Sequence, residues 1–181
     1  MKDEQCPCAL IGANVMLYPL AKILSPDVVS IGDNVIIDDF VLIDGGSAAE
    51  IGSYVHIACF TSVTGGGRFV MKDFTTISSG CRILTGAGEV TAPAVRDSSP
   101  PEVSGDADRS FVILEKHSIL GANVVVLPGV TVGEGAAVGA GSLVVTDVEP
   151  WTVNVGSPSR PIKARPSEKI LRMERELLEG N

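Results

Sequence analysis

Residues 120–148 read LGANVVVLPGVTVGEGAAVGAGSLVVTDV. Leu120, Val126, Val132, Val138 and Val144 recur every six positions, and Leu114 begins the series. Working backwards, the same spacing joins Ile11, Leu17 and Ile23, then Ile31, Ile37 and Ile43, then Ile51, Ile57 and Val63, then Met71, Ile77 and Ile83. Of these 18 positions, 17 are Ile, Leu or Val. The residue two places before the next start is Ser, Thr, Ala or Val in 16 of 18 cases, with Phe69 and Cys81 as exceptions. A helix has a period of 3.6 and a half-buried strand a period of 2, so neither produces a sixfold rhythm. A short strand followed by a bend does. The large aliphatic residue points inward and the small one fits a crowded corner.

The third position after a start often holds a residue that tolerates positive φ: Asn14, Asn34, Asn123, Gly129, Gly135 and Gly141. Three hexads then make one turn of a triangular coil. The first four turns repeat every 20 residues, because two extra residues always enter after the third hexad. The long break after Ile83 falls at that same corner. The expected fold is therefore all-β: a parallel β-helix of about six triangular coils, roughly 30 Å long at the usual strand spacing. One long loop is inserted at about 86–111. Ser167 is placed to cap a short C-terminal α-helix running to about Glu179, with Ile170, Met173, Leu177 and Leu178 as an apolar packing stripe. The expected division is a coil domain over 1–165 and a helix over 166–181.

Composition limits the function. Hydrophobic residues make up 45% and charged ones 20%, against the profile of a disordered chain. Aromatics are 4%, so the core is built from aliphatic side chains. A net charge of -8 argues against nucleic acid and anionic membranes as partners. No apolar run approaches the roughly 18 residues of a membrane span, and the acidic start (Asp3, Glu4) is unlike a signal peptide. A cytoplasmic protein is expected. Cys6, Cys8, Cys59 and Cys81 read as reduced thiols, with no zinc-ligand spacing and no metal expected.

Two histidines occur, His56 and His117. His117 is three after Leu114, at a bend facing outward, one rung or about 5 Å from Phe74. His56 precedes Ile57 and also points outward, two coils or about 10 Å from His117 within one chain. A neighbouring subunit could bring the two together. Either can serve as a general base, since an imidazole titrates near neutrality. His117 is the first choice, with loss of turnover expected on its replacement. Asp73, Glu89, Asp97 and Glu115 are possible orienting carboxylates. The last 31 residues carry six Lys or Arg against four Glu, a basic excess suited to a polyphosphate ligand.

The runs IGDNVI (31–36), LGANVVVLPGVTVGEGAAVGAGSLVVTDV and VGSPSRPIKAR (155–165) resemble the hexapeptide-repeat acyltransferases with a left-handed β-helix. The resemblance spans roughly residues 11 to 165. With HIA (56–58), GGG (65–67) and DFTTISSG (73–80), the chain looks most like the sugar O- and N-acetyltransferases of bacterial surface-polysaccharide synthesis. The resemblance implies the left hand of the coil, a homotrimer, and an inserted loop reaching a neighbouring subunit. It implies acetyl-CoA as co-substrate and a sugar or nucleotide-sugar hydroxyl or amine as acceptor, with a bend histidine as base. The pantetheine arm would lie against Ala122, Ala140, Val145 and Thr146, and Arg160 and Lys163 would meet the nucleotide end. Many such enzymes carry a histidine in the inserted loop, and this loop has none. A non-catalytic scaffold is the alternative. A γ-type carbonic anhydrase would need three histidines and is disfavoured.

Overall fold

The structure, a computed structural model, describes residues 8–87 and 108–180. Three parallel sheets form the faces of a triangular prism. The first face stacks Leu10–Ile11, Val29–Ile31, Ala48–Ile51, Arg68–Met71, Phe111–Leu114 and Val130–Val132. The second begins with Met16–Leu17, Ile36–Ile37, His56–Ile57, Thr76–Ile77, Ile119–Leu120 and Ala137–Val138. The third comprises Lys22–Leu24, Leu42–Asp44, Ser62–Thr64, Arg82–Leu84, Val125–Val126 and Leu143–Val144. Six coils result, with the predicted offsets. Ile31 pairs with Ile51 and Ile51 with Met71, 20 residues apart; Met71 pairs with Leu114 across the insertion; Leu114 pairs with Val132.

The sixfold aliphatic positions line the interior. Ile37, Ile57, Ile77, Leu120 and Val126 are fully buried and Leu114 nearly so. The first coil differs: Ile11 is 38% exposed, because no coil among the described residues lies beneath it. Outward residues on each strand alternate with these, as the pleat requires.

The corners show how aromatic residues enter a coil that favours Asn and Gly. Tyr54, Phe74 and His117 occupy successive bends, and Trp151 follows one bend further on, across Gly135, all four at φ 54–61°. That left-handed backbone costs an L-residue roughly 1–2 kcal/mol. Their rings stack as a column: Tyr54 on Phe74 at 4.8 Å, Phe74 on His117 at 5.2 Å, and His117 near Trp151 at 6.2 Å. Each ring pair returns about 0.5–1.5 kcal/mol, with burial of the rings added. Beside this column each coil caps the one below. Asp33 accepts the Ala13 N–H, Ser53 the Asp33 N–H, and Asp73 the Ser53 N–H.

The insertion leaves where the third face meets the first. An antiparallel pair, Gly86–Ala87 with Asp108–Arg109, forms its stem. A Cβ on Gly67 would run into the Thr85 and Ser110 carbonyls there, so the close approach requires glycine. Residues 88–107, including Glu89 and Asp97, lie outside the described residues.

The exit from the coil is more ordered than a turn-rich reading predicts. Thr152–Gly156 and Ser159–Ala164 form an antiparallel hairpin that extends the second face beyond Ala137–Val138. The helix runs over Glu168–Glu179, as expected in length. Ser167 makes no side-chain cap, however; its carbonyl accepts the Leu171 N–H. Only the start of the apolar stripe packs: Ile170 is half-buried, Met173, Leu177 and Leu178 are exposed, and Glu174 makes the helix's polar contact with the coil.

Candidate active site

His117 lies at an outward corner with φ 61°, at the predicted distance from Phe74, but it is not open to solvent. Its side chain is only 5% exposed. Phe74 and Trp151 flank the ring, and the C-terminal helix covers its edge. Glu174 reaches from that helix to His117 Nε2 at 2.8 Å, and its second carboxylate oxygen bonds Lys116. Lys116 also sits 5.6 Å above the Phe74 ring centroid. Arg165, just before the helix, donates to the carbonyls of His117 and Gly135. The expected exposed corner is thus a covered one, because a segment 57 residues downstream folds back across it.

Glu174 was missed as a candidate. Asp73 uses its carboxylate on the Ser53 N–H and only its backbone carbonyl on His117. Among the described residues the carboxylate that meets His117 is Glu174. Burial pushes the Glu174 carboxyl up. Hydrogen bonds from Lys116 and His117, with their charges, outweigh that and hold it below the usual glutamate value.

A depressed carboxyl binds fewer protons folded than unfolded. Its stabilisation is therefore present above the value of a free glutamate, about 4.3, and is lost as the pH falls through the lower folded value. Trp151, the single tryptophan, borders His117 and reports on this contact. Acid titration should change Trp151 fluorescence below that range, before global unfolding. Glu174→Gln should lower neutral-pH stability and erase this acid step. An unchanged step in the variant would remove Glu174 as its source.

His56 presents the opposite environment. It begins the strand His56–Ile57, between Ile36 below and Thr76 above, on the outer side of the second face. Its side chain is 42% exposed. Its Nε2 lies 3.2 Å from Asp38 Oδ1, one rung down and two residues along. The two histidines are not brought together within the chain: Thr76 occupies the rung between His56 and Ile119.

Beyond His56 the same face becomes smooth. Ala58, Ser78, Gly121 and Gly139 stack in one column through successive ladder bonds. Ala122 and Ala140 follow Gly121 and Gly139 toward the next corner, where a Cβ on Gly141 would meet nothing within 4 Å. Arg160 and Lys163 stand exposed on the hairpin that ends this face, opposite Val155 and Val153. The predicted small residues and cations therefore share one surface. Val145 and Thr146 do not join them. Both are exposed, but they follow Leu143–Val144 toward the far edge of the third face.

The thiols are scattered. Cys59 and Cys81 are free thiols. Cys81 is buried against the Gly121 carbonyl, and burial pushes its thiol up, away from nucleophilic character. Among the described residues, no three His, Cys, Asp or Glu side chains gather as a metal site.

Comparison with known proteins narrows the chemistry. Residues 111–146 match the family described as bacterial transferase hexapeptide (six repeats). The dTDP-4-amino-4,6-dideoxy-D-glucose acyltransferase of Escherichia coli is 37% identical over 165 residues, covering 91% of this chain and 85% of that protein. The chain belongs to the hexapeptide-repeat acyltransferases. AntD, an N-acyltransferase from Bacillus cereus solved with dTDP and 3-hydroxybutyryl-CoA, superimposes with TM-score 0.87 at 39% identity. That match covers 96% of this chain and 91% of AntD. A maltose O-acetyltransferase from Clostridium difficile 630, at 19% identity and TM-score 0.58 over 87% of this chain and 70% of that one, shares the fold. Among hexapeptide-repeat acyltransferases, then, strong similarity over nearly the whole chain lies with enzymes named for amino-sugar and N-acyl transfer. No helix among the described residues is long and apolar enough to cross a membrane.

Proposed function

We propose that the protein transfers an acyl group from acyl-CoA to the amine of a dTDP-linked 4-amino-6-deoxy sugar, with His56 as general base. The substrate class rests on one observation: 37% identity spread over 91% of the chain to an enzyme named for that acceptor. The AntD complex with dTDP and an acyl-CoA supports the same pair of ligands. An N-acyl product is favoured over the O-acetyl alternative on the same ground. Acetyl is the simplest donor group, and the 3-hydroxybutyryl donor seen with AntD sets a second to compare.

The second face fits a pantetheine arm. Its floor is Ala58, Ser78, Gly121 and Gly139, flanked by Ala122 and Ala140, so an extended chain meets backbone and small side chains. A Cβ on Gly139 would come within 2.7 Å of Val155 Cγ1, leaving no room for a larger residue in the floor. Arg160 and Lys163 lie at the end suited to phosphates. Val145 and Thr146, on another edge, would contribute across a subunit boundary in the homotrimer proposed for this chain.

The thioester supplies an already activated acyl group. The protein's task is to hold the amine against it and remove a proton. The amine nitrogen forms the C–N bond, the C–S bond breaks, and the amine proton passes to His56 and on to the departing thiolate. His56 suits this role because its ring is open while His117 is enclosed and held by Glu174. Both substrates are soluble, consistent with a cytoplasmic reaction that feeds surface-polysaccharide synthesis.

The test is direct. Protein incubated with dTDP-4-amino-4,6-dideoxy-D-glucose and acetyl-CoA or 3-hydroxybutyryl-CoA should release free thiol and yield the N-acylated nucleotide sugar. Coenzyme binding without thiol release above background would reject the activity. Failure to bind coenzyme at all would favour a scaffold.

A further inference from the structure

We infer that Asp38 is a positioning residue for His56, fixing which ring nitrogen carries the proton. The inference rests on the assignment of His56 as base and adds a residue to it. Aspartates on this coil mostly serve the backbone. Asp33, Asp39, Asp44, Asp73 and Asp147 each accept a main-chain N–H, from Ala13, Leu20, Gly46, Ser53 and Thr131. Asp38 departs from that pattern. Its own N–H is already satisfied by the Ile57 carbonyl, and its carboxylate turns to His56 Nε2 at 3.2 Å. Among the described residues, the aspartate caps on the coil's main chain come from other positions.

The consequence follows from imidazole chemistry. A carboxylate only accepts, so the neutral ring must place its proton on Nε2. Nδ1 is then left with a bare lone pair, the form a base needs. When Nδ1 takes the amine proton, the ring becomes cationic and the carboxylate beside it stabilises that charge. The proton leaves again from Nδ1 to the thiolate, so Asp38 itself carries no proton in the transfer. Its half-open setting, with side chains 29% and 42% exposed, makes this a moderate effect.

Asp38→Asn is the informative change, since an amide can donate to Nε2 and so impose the opposite tautomer. It should lower kcat about 10- to 100-fold, with KM for both substrates little altered. Asp38→Glu should recover part of the rate. With only two histidines, 15N imidazole spectra of the free protein resolve His56, whose signals should change from the Nε2–H to the Nδ1–H pattern in Asp38→Asn. The unaltered melting temperature expected of this variant separates positioning from folding.

The failures are distinguishable. If His56→Gln retains full turnover, the base assignment falls. If His56→Gln is inactive while Asp38→Asn keeps its rate and imidazole pattern, Asp38 has no positioning role and His56 stands. A slower Asp38→Asn enzyme with the tautomer unchanged would also overturn the inference.

Discussion

His56→Gln is expected to reduce kcat by about 10²- to 10⁴-fold, the usual contribution of a positioned general base. Glutamine keeps polarity and approximate size at this exposed position, so folding should be unaffected. The loss should appear in kcat rather than in KM for the acyl donor, because the small-residue floor and the cations of the hairpin remain. His117→Gln supplies the contrast. It removes the partner of Glu174 and a ring from the aromatic column, so its effect should fall on stability and on helix docking. Steady-state kinetics and thermal unfolding of the two variants form a crossed test. A His117 variant that folds normally but is catalytically dead, beside an active His56 variant, would reverse the assignment.

Leu114→Ala is expected to cost about 2–5 kcal/mol. Leu114 is nearly fully buried, with Met71 on the coil before it and Val132 on the coil after. Neither neighbour can collapse into the space, because each is held in its own ladder. For a chain of this size the melting temperature should fall by roughly 4–20 °C. Ile11→Ala occupies the equivalent position of the first coil, but Ile11 is 38% exposed at an open end. There the cost should be about 1 kcal/mol. Equal costs at the two positions, measured by urea unfolding, would contradict a stack whose ends and middle differ in burial.

Much of this architecture was readable from spacing. The 20-residue register, the corner of every insertion and the Phe74–His117 neighbourhood all follow from counting sixes. A coil repeats its geometry, so one hexad locates the others. The Asp38–His56 pair was readable too: the same register stacks residue 38 under residue 58, diagonal to 56. Spacing does not distinguish it from Asp33, Asp73 and Asp147, whose carboxylates serve the backbone. Glu174 was different. In the sequence it is one more charge on an amphipathic helix, and no local pattern encodes how that helix returns to the coil. The hairpin Thr152–Ala164 was hidden as well, since the glycine and prolines that shape its turn also mark an irregular exit.

Sequence periodicity determined the coil, its six turns, the inward aliphatic positions and the outward direction of both histidines. The reason is local: each hexad sets its own bend, and hydrogen bonds to the next turn carry the register forward. Tertiary structure decided which histidine stays open. His56 lies on a flat face, while His117 lies under a helix whose placement depends on Lys116, His117 and Glu174 meeting across more than 50 residues. Contacts between such distant segments depend on how the chain returns on itself, which no local repeat encodes.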